Sequence, residues 1–248
     1  TARRKRNMGR LRRLQELRQQ RKDQIKQTGS VELAIDKGAI LSKLVIEAKH
    51  LEKSFNGRPL IKDFSFRLMR GNKIGIVGPN GAGKSTTIRM LCGLTRPTAG
   101  DARLCGKSIC TEPTAVKRVI GVSPQETAVA PNLTVAENLA LLCGAHGFSR
   151  AAQRAQSAEL AERFGLNEVW AKKAGKLSGG WQRRLSIAMA LVGSPQVLFL
   201  DEPTLGLDVL ARSDLWDSIR ALKGKITIVL TTHYMEEAAD ADHVVILD

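Results

Sequence analysis

No stretch of the chain approaches the roughly 18 consecutive apolar residues that a membrane-crossing helix requires, so none of its segments is expected to cross a bilayer. Work at a membrane would need docking onto a partner that spans it. Cysteine is sparse: Cys92, Cys105, Cys110 and Cys143 show no CxxC spacing, and the pair Cys143-x-x-His146 falls in an expected helix without a second pair. That excludes a zinc-ribbon arrangement and a disulfide framework, and leaves reduced, structural thiols. With no secretory signal pattern either, the expected compartment is a reducing cytosol.

What is present is a chain of 248 residues, enough for one large α/β domain or for one domain plus an appendage. The net charge of +15 is unevenly placed. Residues 1–30 hold eleven Lys or Arg against Glu16 and Asp23, so most of the excess lies there. Two readings stay open for this run, a solvated helix face and a surface for a polyanion. Residues 4–27 lack proline and place Met8, Leu11, Leu14 and Leu17 on one narrow stripe, which predicts a basic, marginally amphipathic helix. Thr28-Gly-Ser interrupts it and a linker follows, so residues 1–42 are expected to precede the main domain, 43–248. The chain starts at Thr1 and stops at Asp248 just after the apolar run from His243, so both ends look cut and a C-terminal truncation is expected.

From Lys43 the pattern turns to short β-rich runs. Leu44-Val-Ile-Glu-Ala, the alternation of Phe64, Phe66 and Leu68, and Lys73-Ile-Gly-Ile-Val come first, with a turn at Asn56-Gly57. Further strands are expected at Val119–Val122, Val197–Leu200, Ile226–Leu230 and Val244–Leu247. Helices are expected between them at Lys84–Leu91, Val135–Gly144, Arg150–Phe164, Ser178–Val192 and Val209–Leu222. Strands alternating with helices predict an α/β fold with a mainly parallel, two-sided sheet. Residues 127–177 offer helices and no good strand, and are expected to form an inserted helical subdomain.

Gly78-Pro-Asn-Gly-Ala-Gly-Lys-Ser85 fits the phosphate-loop pattern G-x-x-x-x-G-K-[ST], after a strand and before a helix. Small residues at Gly81, Ala82 and Gly83 let successive N–H groups turn toward one phosphate, and the helix N-terminus adds positive potential. Lys84 would neutralise the β- and γ-phosphates, and Ser85 would offer a hydroxyl to Mg²⁺. Val197-Leu-Phe-Leu-Asp201-Glu202 is an apolar strand ending in two carboxylates. Asp201 would hold Mg²⁺ through water, and Glu202 would orient and polarise an attacking water.

With Leu177-Ser178-Gly179-Gly180 placed between those two motifs, the sequence resembles the ABC-type ATPases, whose signature this tetrapeptide matches. The resemblance implies a P-loop NTPase core with an antiparallel β subdomain, here preceded by the basic helix. It implies that Gln125, in Val122-Ser-Pro-Gln, is the glutamine that senses Mg²⁺, and that His233, in Leu230-Thr-Thr-His, contacts the γ-phosphate. It also implies nucleotide contacts from Gly78, Asn80, Gly81, Gly83, Lys84, Ser85 and Thr86 of one cassette and from Ser178, Gly179, Gly180 and Asp208 of another. Phe55 stands where the family stacks an aromatic ring on adenine, and a place in the core is the equal alternative. One departure is Trp181, where the family often has Gln or Glu directly after Ser-Gly-Gly.

In that family two cassettes share each ATP, so a second cassette is an implied partner. Residues from Thr87 onward look like the ATPase subunit of multidrug-type ABC exporters, which implies an integral membrane permease, export of drug-like or lipophilic substrates and a place at the inner face of the plasma membrane. Residues 1–77 look instead like the linker and second-cassette start of ABC-F proteins, so the chain changes character near the phosphate loop. The alternative this implies is a translation factor or nucleic-acid-binding ATPase that touches a ribosome, RNA or DNA through residues 1–29.

Overall fold

The computed structural model describes residues 43–247, so the basic helix expected at 4–27 and the linker after it lie outside the described residues. The chain opens with two long strands, β1 (Leu44–Phe55) and β2 (Arg58–Met69), joined at Asn56 and Gly57. Both turn residues have positive φ, 49° and 76°, which suits a tight hairpin between right-twisted strands. On its other side β1 pairs antiparallel with β4 (Ala99–Leu104), which carries the short β5 (Lys107–Ser108). The resulting sheet has the order β2-β1-β4-β5.

The second sheet is parallel throughout. It is built from β3 (Lys73–Val77), β6 (Ile120–Ser123), β7 (Val197–Asp201), β8 (Thr227–Thr232) and β9 (His243–Ile246), in the order β6-β7-β8-β3-β9. Every residue of β3, β7 and β8 is buried, as expected of strands covered on both faces. Strand periodicity then divides the core. Val197, Phe199 and Val229 share a face with Ile74 and Ile76 and cluster with Met90 and the antiparallel sheet's Ile46 and Leu68. Their neighbours Leu198, Leu200, Ile228 and Leu230 face Leu139, Phe164, Leu185 and Trp216. Burying one such side chain contributes about 1.5–3 kcal/mol, whereas an exposed ion pair such as Arg220–Asp217 is screened by solvent. The alternation in the strands therefore sets the layer order.

The helices are α1 (Lys84–Leu91), α2 (Pro113–Lys117), α3 (Val135–Ala145), α4 (Arg150–Arg163), α5 (Gly179–Ala190), α6 (Val209–Arg220) and α7 (Met235–Ala238). Thr134 starts α3 with a reciprocal cap. Its hydroxyl accepts from the Glu137 N–H at 3.2 Å, and the Glu137 carboxylate accepts from the Thr134 N–H at 2.7 Å. The α/β class, the mixed pair of sheets and the long helices follow the sequence reading. Several elements do not: β4, β5, α2 and α7 were not expected, and β1 runs on past Ala48 to Phe55. Ala99-Gly-Asp-Ala-Arg-Leu has little strand character of its own. It is a strand because the free edge of β1 pairs with it, Ala48 opposite Ala102. The change of character near the phosphate loop leaves no seam, since β3 pairs with β8 and β9 in continuous register.

Among the described residues no helix is long and apolar enough to cross a membrane. All four cysteines are free thiols, and burial pushes the Cys92 thiol far above its usual range. Cys143 is buried with its Sγ 3.8 Å from the Ser157 hydroxyl.

Candidate functional site

In a parallel sheet all carboxyl ends reach the same edge, and ligands of such sheets sit in the crevice outside it. Here four neighbouring strands deliver chemistry to one place. β3 runs into the loop at Gly78, β6 ends two residues before Gln125, β7 ends at Asp201 and β8 ends one residue before His233. Val77 stands beside Thr232, and Asp201 beside Thr231. Gly81 and Gly83 in the loop have φ of 87° and 91°, a region costly for any side-chain-bearing residue, and Gly83 directly precedes α1. These residues frame a cavity of about 300 Å³ lined by Leu60, Pro79, Asn80, Gly81, Gly83, Lys84, Ser85, Thr86, Gln125, Glu202 and His233.

Lys84 is the electrostatic centre of this cavity. Its ammonium is 5% exposed and donates to the carbonyls of Gly78 at 2.7 Å and Pro79 at 3.0 Å. It also lies 2.8 Å from His233 Nδ1 and 3.2 Å from Glu202 Oε1. His233 Nδ1 also lies 3.1 Å from the Gly78 carbonyl, and its Nε2 lies 3.0 Å from Glu202 Oε1. The Ser85 hydroxyl donates to Asp201 Oδ1 at 3.1 Å, and Thr231 donates to the same oxygen at 2.6 Å. Thr231 in turn accepts from the Glu202 N–H at 2.9 Å, so one hydroxyl orients both acids.

Glu202 is the strained member of the set. It is 4% exposed, its φ is 47°, and its Oε1 receives no well-directed hydrogen bond despite the nearby Lys84 ammonium and His233 ring. A non-glycine residue in the left-handed region and a buried carboxylate oxygen with spare accepting capacity both cost free energy, and such costs concentrate at functional sites. Gln125 reaches the cavity from a loop whose backbone is held by Arg183: Nη1 donates to the Pro124 carbonyl at 2.6 Å, and Nη2 to the Gln125 carbonyl. Burial pulls the Arg183 guanidinium below its usual range, and the negative charge of Asp201 partly offsets this.

The remaining residues singled out from sequence lie elsewhere. Phe55 ends β1 with half of its surface exposed, and the Lys53 ammonium sits 5.0 Å from its ring centroid, so the alternative of a core aromatic is ruled out. Ser178 and Gly179 are exposed at the N-terminus of α5, and Asp208 is exposed as the cap of α6, accepting from the Ala211 N–H at 2.9 Å. None of these four lines the cavity. Trp181 packs beneath the Arg184 guanidinium, 4.9 Å from its ring centroid, while Gln182 turns inward to the carbonyls of Ala174 and Leu177. Thr231, Arg183 and Leu60 were missed. Thr231 belongs to Leu230-Thr-Thr-His and could have been flagged as a polar residue in an otherwise apolar strand. The other two carry no local signal.

A phosphate loop at the end of a parallel strand, facing two acids from the end of the next strand but one in the same sheet, defines the P-loop NTPase class. Within it, residues 61–205 match the ABC transporter family, and the chain belongs to that family. The chain is 43% identical over 205 residues to the daunorubicin/doxorubicin resistance ATP-binding protein DrrA of Streptomyces peucetius, covering 82% of this chain and 62% of that protein. It is 42% identical to the Nod factor export ATP-binding protein I of Burkholderia pseudomallei, covering 82% and 67%. The doxorubicin resistance protein DrrA of Mycobacterium tuberculosis is 44% identical over 190 residues, covering 76% and 57%. The chain thus spans roughly three fifths to two thirds of these relatives' length. Among solved structures, the dimeric post-hydrolysis state of the ATP-binding cassette MJ0796, bound to ADP and Pi, superposes with a TM-score of 0.74 at 26% identity, covering 82% of this chain and 94% of that one.

Proposed function

We propose that this chain binds and hydrolyses Mg-ATP as one of a pair of cassettes, and that the resulting motion drives export of drug-like or lipophilic substrates through an integral membrane permease. The observation that carries the reading is Glu202: a buried carboxylate beside Asp201, with an oxygen free of directed hydrogen bonds, on the wall of the cavity that Lys84 makes electropositive. Asn80, Gly81, Gly83 and Thr86 line that cavity around Lys84, positioned for backbone and side-chain contacts to phosphate oxygens, and Lys84 supplies the fixed positive charge. Glu202 accepts a hydrogen bond from the attacking water and orients it, with His233 Nε2 3.0 Å from the same carboxylate.

The donor set fits magnesium. The Ser85 hydroxyl, the Asp201 carboxylate and the Gln125 amide are hard oxygen ligands, and one carboxylate suffices when phosphates complete the shell. Among the described residues no three His, Cys, Asp or Glu cluster as a self-sufficient metal site. Once bound, Mg²⁺ supplies charge neutralisation at the β- and γ-phosphates.

The exposed Ser178 and Gly179, with half-buried Gly180, at the start of α5 support the two-cassette reading, because this helix N-terminus lies outside the cavity and is open to the nucleotide of a second copy. Stacking of adenine on the exposed ring of Phe55 belongs to the same reading. The names of the relatives, resistance and export ATP-binding proteins, support the transporter role and a cytoplasmic position at the inner face of the membrane. The alternative of a ribosome or nucleic-acid factor rests on residues 1–29, outside the described residues, and the comparisons give it no support.

The test is Glu202→Gln. Phosphate release is expected to fall about a hundredfold or more while nucleotide affinity stays within about threefold of wild type. Hydrolysis at the wild-type rate would remove Glu202 from the chemistry, and absence of Mg-ATP binding by the wild-type chain would remove the reading.

A further inference from the structure

Arg183 makes an unusual pair of bonds. It lies on α5 and is 4% exposed, yet its guanidinium is spent on two successive main-chain carbonyls, those of Pro124 and Gln125, where the chain has just left β6. A planar fork with fixed donor spacing suits such a pair, and neither carbonyl lies in a strand that could give it a ladder partner. One turn further along α5, the buried Ser186 hydroxyl meets the buried Ser123 hydroxyl at 2.9 Å. Residues three apart share a helix face, so one face of α5 grips three consecutive residues, 123 to 125. The N-terminus of that helix carries Ser178, Gly179 and Gly180, and the gripped loop carries Gln125 to the cavity wall.

We propose that Arg183 is a positioning residue that fastens the Gln125 loop to α5, so that the Gln125 amide at one phosphate cavity and the Ser178–Gly180 terminus move as one body. This rests on the ATPase reading above. A shift of α5 drags the Gln125 carbonyl, and with it the side chain that faces the metal position.

The experiment uses the full chain with Arg183→Met, which deletes both donors, Arg183→Lys, which keeps the charge and loses the fork, Gln125→Ala, and the double variant R183M/Q125A. R183M is expected to lower kcat about tenfold or more with nucleotide affinity within about threefold, and to raise the half-saturating Mg²⁺ concentration. R183K is expected to recover part of the loss. Because the effect runs through Gln125, the double variant should be no slower than Q125A alone. Losses that multiply, or a parallel fall of kcat and nucleotide affinity at unchanged Mg²⁺ dependence, would overturn the proposal. Should R183M fail to fold, R183K carries the same measurements. Amide exchange of residues 123–127 separates this inference from the ATPase reading, because faster exchange in R183K, with β7 unchanged, is expected even if the wild-type chain proves not to hydrolyse ATP. Unchanged exchange at 123–127 would refute the tie.

Discussion

Thr231 shows how much of the site depends on a residue that would itself never touch a nucleotide. It is fully buried, donates to Asp201 Oδ1 at 2.6 Å and accepts from the Glu202 N–H at 2.9 Å. Thr231→Val keeps the branching and removes both bonds, leaving a buried N–H and a carboxylate oxygen short of a partner. The expected cost is about 1–3 kcal/mol of stability, read from the urea midpoint, together with a higher Mg²⁺ requirement for hydrolysis. A variant unchanged in both would show that Asp201 is oriented by other means. The motif residues around Thr231 were legible because their chemistry is tied to order along the chain. Thr231 was not, because its value comes from strand register, which sets Asp201 beside it only when β7 and β8 pair.

At the scale of single elements, two local devices invite tests. The reciprocal cap at Thr134 satisfies donors that α3 leaves open, and Thr134→Ala is expected to cost about 1 kcal/mol, a fall of about 2–4 °C in Tm for a domain of this size. Melting followed by far-UV circular dichroism measures it, and no change in Tm would mean that water replaces the cap. The second device fastens β9. Asp242, just before that strand, accepts from the Lys73 N–H at 2.8 Å through Oδ2 and pairs with Lys223 at 3.0 Å through Oδ1. Burial alone would raise this carboxyl, but the Lys73 and Lys223 bonds outweigh it and hold it below its ordinary 3.8. A carboxyl lower in the folded than in the unfolded chain adds stability above the unfolded value and loses it as pH falls through the folded one. The contribution is therefore complete above about pH 5 and fades below about pH 4. Asp242→Asn should flatten that limb of the stability profile, and an unaltered acid limb in urea titrations would contradict the assignment.

For the whole molecule the central expectation is that one copy is incomplete. Lys84→Met removes the cation of the cavity, and Ser178→Arg blocks the exposed start of α5, so each variant alone should be nearly inactive. Mixed in equal amounts, half of the pairs carry one intact cavity facing one intact helix terminus, and about a quarter of the wild-type rate should return. No recovery on mixing would place both residues in one self-sufficient site. At this scale too stands the exposed apolar pair Val209 and Leu210, 82% and 77% accessible at the start of α6.

Much of this protein is written in the order of its residues. The phosphate loop, the acids ending an apolar strand, and the alternation of strands with helices are local patterns, since small residues, charges and apolar periods act on their neighbours in the chain. Their chemistry and the α/β class could be read directly. Only the folded chain decided that β3, β6, β7 and β8 deliver four distant segments to one edge, that Glu202 is strained and under-bonded there, and that Phe55 faces outward. It also decided that a weakly patterned segment, Ala99–Leu104, is a strand and that Arg183 grips two carbonyls on another element. These are pairings across long separations in sequence, selected by which edges and buried faces remain to be satisfied, and no local preference encodes them.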